Sequence, residues 1–533
     1  MLRYVLIRPE THEPRLNLVV HRIHLWEGSN GMTLCPGAMT DGATRLLELH
    51  LARDSIDPTL RSVLENAYGH LTSRDPSVAW TSGQWMTERP GGSDVSRTET
   101  VATYAPYPTS SSAPLACKAE DTPLGPWSIS GFKFFSSATD ANMTILLART
   151  TPDKGLSAFF APTRRAAPDP TTPGNDSELN GVRIQRLKDK LGTRPVPTAE
   201  LELHGLRAWL LGQEGRGVHE LATVLTITRV HSAIASLGYL ARGLAVARAF
   251  ALVRDVGAGR GRRLPLCRSP LHMRTLAGLT TEYHGLNLLA FYTVSVLGLA
   301  ERGPSGAVAA APLPPPAVRS IVPPREHVAP LLRVLSSLHK AYICKAAVPL
   351  LHACMEALGG VGYLNNAEAE PLNVARLFRD GCVNPIWEGT TDVLAADFLR
   401  ALKHPRAGAE SLAALAWLAR SAFGPDGAKG PGGPVLEAWE EVRWKIEEGE
   451  HDALLPDARD IMFRVGDVLV AALLAVDASR DGAPEVEVVL RRFLVKKGFA
   501  VEDDAMRQGV GNGLDQDTAI VYGDHFKIIT PNL

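Results

Sequence analysis

The hydrophobic positions of this chain change their period along the sequence. Between about residues 80 and 210, short apolar runs alternate with loops rich in Gly, Pro, Ser and Asp. After Gly217, apolar residues recur at helical spacing over much longer segments. The pattern therefore predicts a middle region built of strands and a later region built of helices.

The middle region contains short apolar runs that we interpret as strands. They are Val78 to Met86, Trp127 to Phe135, Met143 to Arg149, Leu156 to Ala161 and Ala199 to Leu203. Within the last run, Glu200-Leu201-Glu202-Leu203 alternates strictly, which is typical of a strand with one buried face. Since no helical pattern separates these runs, an antiparallel barrel or sandwich is favoured over a parallel sheet. Polar loops are expected at 101–125 and 163–180.

Helical periodicity predicts a bundle after the strands. The predicted helices are Asp41 to Arg53 near the start, then Val218 to Val253, Leu271 to Leu299, His327 to Leu358, Pro371 to Arg379 with its proline in the first turn, and Thr391 to Leu402. Long helices joined by loops are typical of a helix bundle. Residues 1–40 show no clear pattern, and Pro304 to Pro324 is expected to be a semi-rigid loop.

These patterns divide the chain into four expected domains. They are a shortened helical region at 1–78, a middle β domain at 79–212, a C-terminal helix bundle at 213–405 and a helical extension at 435–533. A Gly- and Pro-rich linker, Gly424 to Pro434, precedes the extension. The fold class expected is thus α+β, with helical segments on both sides of an antiparallel β domain.

Composition narrows the classes of function. With 533 residues, 45% of them hydrophobic and 21% charged, the chain is an ordinary globular enzyme by composition. A net charge of -1 gives no attraction to nucleic acid or to an anionic membrane, so neither partner is expected. No apolar run approaches the roughly 20 residues that span a bilayer.

The cysteines and the two ends of the sequence indicate which cellular compartment to expect. The cysteines are Cys35, Cys117, Cys267, Cys344, Cys354 and Cys382, with no Cys-x-x-Cys pair and no His cluster at metal spacing. Free thiols in a reducing compartment and no metal site are therefore expected. The first residues are too charged for a secretory signal and the last three are not Ser-Lys-Leu, so we expect a cytoplasmic or organellar-matrix protein.

Two segments of the middle region carry candidate binding chemistry. In Met86-Thr87-Glu88-Arg89-Pro90-Gly91-Gly92-Ser93-Asp94 a turn follows a strand, and its glycines and hydroxyls could grip a ligand. An ordinary hairpin turn would give the same pattern. In Gly131 to Ser137 two aromatic residues precede two hydroxyls, which could stack on a flat ring and hydrogen-bond to it; an ordinary strand end is the alternative.

A third segment, Asn384 to Asp392, places one carboxylate, Glu388, between Trp387 and the start of a helix. Either Thr390 or Thr391 is the expected N-cap. The helix N-terminus stabilises a carboxylate by about 0.3–1 kcal/mol, whereas burial beside the indole opposes its charge. Glu388 is a candidate base for removing a proton from carbon, but, taken alone, the segment favours a carboxylate that only supports the helix start.

In their order and spacing, these segments resemble the acyl-CoA dehydrogenase family. The similarity rests on Met86-Thr87-Glu88 with Gly92-Ser93-Asp94, Lys133 to Ser137, Leu191-Gly192-Thr193, Glu356 to Tyr363, Arg379-Asp380, and Ile386 to Thr390. It covers roughly residues 40 to 402. Trp387 before Glu388 and the acidic C-terminal segment resemble the AidB-like subgroup and its fungal relatives.

The resemblance implies a role for each matching residue. Glu388 would be the catalytic base that takes the substrate's α-proton while the β-hydrogen leaves as hydride to FAD. The residues implied to bind FAD are Met86, Thr87, Gly92, Ser93, Phe135, Ser136, Ser137, Gly359, Gly360, Thr390 and Asp392. Those implied to bind substrate are Ser93, Arg229 and Gly389. The implied partners are an acyl-CoA or similar thioester, an electron-transfer flavoprotein or oxygen as acceptor, and further copies in a homodimer or homotetramer.

The sequence also departs from the family pattern. The family often has an acidic residue three positions before the bundle arginine, Arg229, where this chain has Thr226. Where some members place the base, this chain has Thr228, which leaves Glu388 as the candidate. Two alternatives to an acyl-CoA dehydrogenase-like enzyme stay open: an AidB-like flavoprotein with a protective or binding role and weak dehydrogenase activity, and an inactive truncated family member.

Overall fold

The computed structural model describes residues 15–106, 122–167, 177–257, 259–301, 316–424, 432–501, 513–523 and 526. Cys117, most of the Pro304 to Pro324 stretch and much of the linker at 424–434 lie outside these residues, as do parts of the predicted loops at 101–125 and 163–180. The other five cysteines are free thiols.

Helices occur on both sides of a block of strands. In chain order the helices are α1 (Arg15–Glu27), α2 (Leu34–Leu51), α3 (Pro58–Thr72), α4 (Gly217–Glu220), α5 (Ala222–Val253), α6 (Pro270–Glu301), α7 (Pro316–Arg319), α8 (Arg325–Ala357), α9 (Val374–Gly381), α10 (Thr391–Leu402), α11 (Gly408–Phe423), α12 (Gly433–Glu448), α13 (His451–Leu454), α14 (Ala458–Asp481), α15 (Pro484–Lys496) and α16 (Gly513–Tyr522).

The strands lie between α3 and α4, apart from one short hairpin after α5. They are β1 (Ser82–Trp85), β2 (Val101–Tyr104), β3 (Trp127–Ser137), β4 (Met143–Arg149), β5 (Leu156–Pro162), β6 (Arg164–Ala166), β7 (Ser177–Leu179), β8 (Val182–Leu187), β9 (Thr198–Leu211), β10 (Asp255–Gly257) and β11 (Arg263–Pro265). This mixed architecture confirms the predicted fold class.

The chain forms two compact units. Residues 30–231 make up the first, and residues 15–29 with the described residues from 232 onward make up the second. The division falls inside α5, after His231. The domain limits inferred from the sequence pattern stay predictions.

The strands of the first unit close into a barrel. β4 pairs with β5, β5 with β9, β9 with β3, β3 with β2, and β2 returns to β4, while β1 joins β4 and β8 joins β9. Most neighbours are antiparallel, as predicted, but β1 and β2 both run parallel to β4. The expected antiparallel domain thus contains two parallel pairs, because β3 reverses the chain between β2 and β4.

Strand β4 is buried on both faces, which explains its unbroken apolar sequence. Leu146 points into the barrel core, where it joins a cluster that includes Phe159 and Leu201. Its neighbour Ile145 points to the opposite face and belongs to a second cluster, which includes Leu47 of α2. Helices α2 and α3 therefore cover one outer face of the barrel.

The N-terminal helices were only partly predicted. Helix α1 and the first turns of α2 lie in the region for which the sequence showed no pattern, and that interpretation was wrong. Helix α3 was also missed, although Asp57 caps it by accepting a hydrogen bond from the Leu60 N–H and Pro58 occupies its first turn. Both residues are ordinary start signals for a helix.

The second unit is a bundle of long helices. Helix α6 packs on α8, α8 packs on α10 and α11, and α14 packs against α6, α10, α11 and α12. The predicted helix Thr391 to Leu402 coincides with α10, and the three long predicted helices correspond to α5, α6 and α8. The helix predicted from Pro371 begins instead at Val374, because the Asn373 side chain caps it and Pro371 lies in a preceding 3-10 turn.

Two bundle helices are long and apolar enough, by length and composition, to cross a membrane. They are α5 and α6, and half of each most apolar window is buried inside the protein. The sequence-based statement that no segment approaches this length was therefore too strict. Since α6 packs on α8, α14 and α16, its apolar residues have the surroundings of a core helix in a bundle.

Candidate functional site

The loop after β1 forms a tight turn in the first unit. The Glu88 N–H donates to the Gly91 carbonyl at 3.0 Å, and the Gly91 N–H donates back to the Glu88 carbonyl at 3.2 Å. A Cβ on Gly91 would lie 2.2 Å from the Asp94 carbonyl oxygen, so the turn requires glycine there. Beyond it, Gly92 and Ser93 are exposed. The turn predicted from Pro90 and its glycines is thus present.

A buried ion pair anchors this turn to the barrel. Glu88 Oε1 accepts hydrogen bonds from Lys133 Nζ and Thr100 Oγ1, each at 2.6 Å, and Oε2 accepts from the Glu99 N–H at 2.6 Å. Lys133, on β3, is fully buried and also donates to the Leu147 carbonyl at 2.9 Å. The turn is therefore fixed by charge and hydrogen bonds rather than by apolar packing.

Each partner of this ion pair favours the charged form of the other. Burial raises the pKa of Glu88, but the Lys133 charge and the hydrogen bonds from Lys133, Thr100 and the Glu99 N–H outweigh it and lower the pKa overall. Burial also lowers the pKa of Lys133, while Glu88 opposes that shift. Because the two groups hydrogen-bond directly, we infer a charged pair at neutral pH. Sequence reasoning missed both partners, since a lysine between aromatic residues on a strand was not recognised as buried.

The end of β3 lies next to the turn. The Phe134 N–H donates to the Thr87 carbonyl at 2.9 Å, which joins strand and loop. Phe135 is 47% exposed, whereas the Ser136 side chain is buried and its hydroxyl has no hydrogen-bond partner among the described residues. The Ser137 hydroxyl lies 2.9 Å from Thr198 Oγ1. Only the Phe135 side chain is thus well exposed here.

Two further predicted residues of the first unit occupy different surroundings. Met86 is half-buried and packs against the apolar cluster between the barrel and α2. Arg229 is half-buried on α5. Near it, the hydroxyls of Thr226 and Thr228 donate to carbonyls one turn back, those of Ala222 and Val224. Hydroxyls bound to their own helix are poor proton acceptors for a substrate.

The second unit holds Glu388 in an unusual backbone conformation. Its φ is +55°, in the left-handed region that residues with a Cβ rarely adopt, and Gly389 follows with φ +96°. Glu388 itself is half-buried. The strained residue stands where the sequence placed the candidate base, and strain of this kind often accompanies functional positions.

The helix after Glu388 starts as predicted. Thr390 is the N-cap of α10 and its side chain accepts a hydrogen bond from the Val393 N–H at 3.4 Å, so of the two candidate threonines it is Thr390 that caps. Asp392 is exposed in the first turn and pairs with Arg459 at 2.6 Å. Carboxylates in a first turn are favoured by the helix dipole.

A buried lysine, also missed from the sequence, contacts this loop. Lys340 of α8 is fully buried, and its Nζ donates to the carbonyls of Trp387 at 2.6 Å and Gly389 at 2.7 Å. Asp397 of α10 is tied to the same helix by Arg333 and Ser337, at 2.9 and 2.7 Å. Helix α8 thus holds both the Glu388 loop and the helix that follows it.

Gly359 and Gly360 follow α8 in a 3-10 turn, Gly359–Tyr363. Gly359 has φ +62° and ends the helix as a left-handed glycine. Nothing lies within 4 Å of a Cβ built on either residue, whereas a Cβ on Gly362 would lie 2.1 Å from the Met355 carbonyl oxygen. The backbone of Gly359 and Gly360 is therefore open to a ligand.

The predicted site residues accordingly fall into two sets. The first unit contains the Thr87 to Ser93 loop, the end of β3 and Arg229. The second contains Gly359, Gly360 and the Glu388 to Asp392 segment. The first set offers an exposed aromatic ring with hydroxyl groups, and the second offers a carboxylate at a helix start and open glycine backbone.

Comparisons with known proteins identify the family. Residues 83–206 match the acyl-CoA dehydrogenase middle domain and residues 319–403 match the acyl-CoA dehydrogenase C-terminal domain. Acyl-CoA dehydrogenase family member 11 of Caenorhabditis elegans is 37% identical over 404 residues, which are 73% of this chain and 56% of that protein. AidB of Escherichia coli strain K12 is 30% identical over 370 residues, which are 69% of this chain and 57% of AidB.

The chain spans a little over half the length of these two relatives. The crystal structure of Caenorhabditis elegans ACDH-11 in complex with C11-CoA matches at 30% identity with a TM-score of 0.72, covering 96% of this chain and 79% of that one. The resemblance found in the motifs is thus confirmed over both the barrel and the bundle, and the chain belongs to the acyl-CoA dehydrogenase family.

Proposed function

We propose that this protein is an FAD-dependent oxidoreductase of the acyl-CoA dehydrogenase type that acts on an acyl thioester in fatty acid metabolism. The observation that carries the proposal is Glu388, held with a left-handed backbone immediately before the cap of α10. The family motif places a catalytic base at this position, and the residues around it match that motif. The C11-CoA complex of the relative ACDH-11 supports an acyl-CoA as the substrate class.

The residues of this chain fit FAD. The Phe135 ring, nearly half exposed at a strand end, can stack on a flat ring system. Ser137 lies two residues along the same strand, and the Thr87 carbonyl accepts a hydrogen bond from the neighbouring Phe134 N–H. In the second unit, the open backbone at Gly359 and Gly360 admits close approach of a ligand. Bound FAD would supply the acceptor for the hydride that leaves the substrate β-carbon.

In this proposal the chain itself supplies the proton chemistry. The Glu388 carboxylate takes the proton from the carbon next to the thioester carbonyl. The backbone N–H of Glu388 donates to the thioester oxygen, where negative charge develops as that proton leaves. Trp387, half-buried beside the base, helps to exclude water. Ser93, Arg229 and Gly389 would contact the substrate.

The test is an anaerobic titration of the purified chain with a panel of acyl-CoAs of increasing length. We expect the purified protein to have a flavin spectrum. We expect acyl-CoAs of one range of chain lengths to bleach it completely. A flavin-bearing protein that no acyl-CoA bleaches would contradict dehydrogenase activity and favour the AidB-like binding role. A folded protein without flavin would favour an inactive member of the family.

The remaining partners are part of the same proposal. Electrons would leave to an electron-transfer flavoprotein or to oxygen, and admitting air after bleaching separates the two, since prompt recovery of the flavin spectrum requires oxygen as acceptor. We propose a homodimer or homotetramer, which light scattering of the purified protein tests. A cytoplasmic or organellar-matrix location is proposed from the sequence alone.

A further inference from the structure

A single buried ammonium group holds the backbone on both sides of Glu388. Lys340 Nζ donates to the carbonyl oxygens of Trp387 and Gly389, at 2.6 and 2.7 Å. These two residues flank Glu388 directly. The lysine is fully buried, although lysine is among the residues least often found inside proteins.

The position of Lys340 in the sequence makes its burial informative. It lies within Val334 to Cys344 of α8, where side chains are buried all around the helix. An ammonium group in such surroundings is costly unless acceptors replace its water. An apolar residue would pack there without this cost, so packing alone does not account for a lysine.

The backbone that Lys340 contacts needs support. Glu388 has φ +55°, which is unfavourable for a residue with a Cβ, and Gly389 has φ +96°. Such conformations persist when surrounding contacts over-determine them. Two carbonyls that converge on one ammonium supply this kind of contact, because both must keep their direction to stay bonded.

The same helix fixes the segment that follows. Arg333 and Ser337, about two turns and one turn before Lys340, bind Asp397 of α10 at 2.9 and 2.7 Å. The Glu388 loop is therefore held by Lys340 while α10, which starts three residues after Glu388, is held by its neighbours on α8. Movement of α8 would displace the loop and α10 together.

We propose that Lys340 is a positioning residue: it holds Trp387 to Gly389 in a left-handed turn and thereby fixes the direction of the Glu388 carboxylate. The role of that carboxylate as a base rests on the function proposed above, whereas the hold on the backbone does not. Without the ammonium, the loop relaxes toward ordinary backbone angles and the carboxylate leaves its place.

The first test compares K340M with K345M by hydrogen–deuterium exchange. Methionine keeps the length of the side chain without its charge, and Lys345 is an exposed lysine of the same helix that serves as the matched control. We expect amides of residues 386–392 to exchange faster in K340M and at the wild-type rate in K345M, with exchange in the barrel unchanged. Wild-type exchange of this segment in K340M would overturn the proposal.

The second measurement applies if an acyl-CoA bleaches the wild-type flavin. Displacing a catalytic group by about 1 Å costs on the order of 100-fold in rate. We expect K340M to keep its flavin and bind acyl-CoA as tightly as wild type, but to be bleached about 100-fold more slowly. Equal bleaching rates for K340M and wild type would contradict the positioning role. If wild type is never bleached, the function proposed above fails, and the exchange experiment still decides on Lys340.

A suppressor covers the case in which K340M does not fold. Glycine at position 388 removes the penalty of the left-handed conformation. K340M/E388G should therefore recover soluble, folded protein, because the turn no longer needs an ammonium to hold it. If the double variant stays unfolded while E388G alone folds, Lys340 acts elsewhere and the proposal is wrong.

Discussion

Among the residues that the structure describes, two lysines are fully buried, and each holds a loop in a different way. In the first unit, Lys133 binds the Glu88 carboxylate itself and is one half of an ion pair. In the second, Lys340 binds the carbonyls on either side of Glu388. Each lysine fixes a loop that carries a family motif, the first through the side chain of a glutamate and the second through two backbone carbonyls.

The difference shows that a buried lysine can hold a loop either through a side chain or through the backbone. Glu88 receives hydrogen bonds from Lys133, Thr100 and the Glu99 N–H, so its oxygens are occupied by the scaffold. At Glu388 it is the neighbouring carbonyls that receive the lysine. Lys133 thus anchors its loop through a side chain, whereas Lys340 anchors its loop through the backbone.

The largest expected effect on stability comes from K133M. It leaves a buried carboxylate without its cation, which typically costs about 3–5 kcal/mol. K340M leaves neutral carbonyls instead and should cost less, about 1–3 kcal/mol. Urea unfolding of both variants shows which one loses more free energy of unfolding. If K340M is the more destabilising, the contrast between the two lysines is wrong.

The control for K133M is the double variant K133M/E88Q. Glutamine is uncharged and can still accept from Thr100 and the Glu99 N–H, so much of the lost stability should return. A double variant as unstable as K133M would show that the loss came from packing rather than from an unpaired charge.

A smaller effect is expected from G91A in the turn that Glu88 anchors. The new Cβ would lie 2.2 Å from the Asp94 carbonyl oxygen, and relieving such a clash costs about 1–3 kcal/mol. The matched control is G92A, whose Cβ meets only Thr87 Cγ2 at 3.9 Å and should change stability by less than about 0.5 kcal/mol. Equal thermal shifts for both variants would show that the turn adapts.

At the other loop, T390A removes the cap of α10. The hydrogen bond from the Val393 N–H is long, 3.4 Å, so we expect a loss near the low end of the usual range, about 0.5–1 kcal/mol. Thermal unfolding measures it. No change in melting temperature would mean that packing against α8 and α14 holds α10 without its cap.

The smallest effect is a pH dependence in the barrel. Hydrogen bonds from Lys188 and Arg186 lower the pKa of Glu200 to about 2. In the unfolded chain the pKa of a glutamate is about 4.3. Between about pH 4 and pH 2 the unfolded chain therefore binds more protons than the folded protein does. The stability that the contacts of Glu200 provide is lost as the pH falls through this range.

The E200Q variant isolates this contribution. Urea unfolding at pH 6 and at about pH 3.5 should show a smaller loss of stability on acidification in E200Q than in wild type. The same substitution at exposed Glu99, E99Q, is the control. Identical losses in wild type and E200Q would mean that the contacts of Glu200 with Lys188 and Arg186 do not stabilise the folded barrel.

The periodicity of apolar residues predicted the helices and strands better than it predicted the tertiary contacts between them. Strand β4 and helix α10 match their predicted limits, since each has a clear apolar pattern bounded by polar residues. Helix α1 was missed because histidines and an arginine interrupt its apolar positions. Its burial comes from α6, on which it packs, and a sequence does not show that partner.

The motifs predicted where the site residues lie but not what holds them. Lys133 and Lys340 are far in sequence from the loops they fix, 45 and 47 residues from Glu88 and Trp387. The sequence around Lys340 gave no clear signal of burial, because Ser336, Ser337 and His339 are polar although the structure buries them. Which acceptors Lys340 finds depends on tertiary packing.

The most direct test of the account is the rate of anaerobic flavin bleaching in E388Q and wild type, with the same acyl-CoA. Losing a general base typically costs about 10²- to 10⁴-fold. The account predicts that E388Q retains FAD and binds the acyl-CoA, yet bleaches slower by at least about 100-fold. An E388Q protein that bleaches at the wild-type rate would show that another group takes the proton.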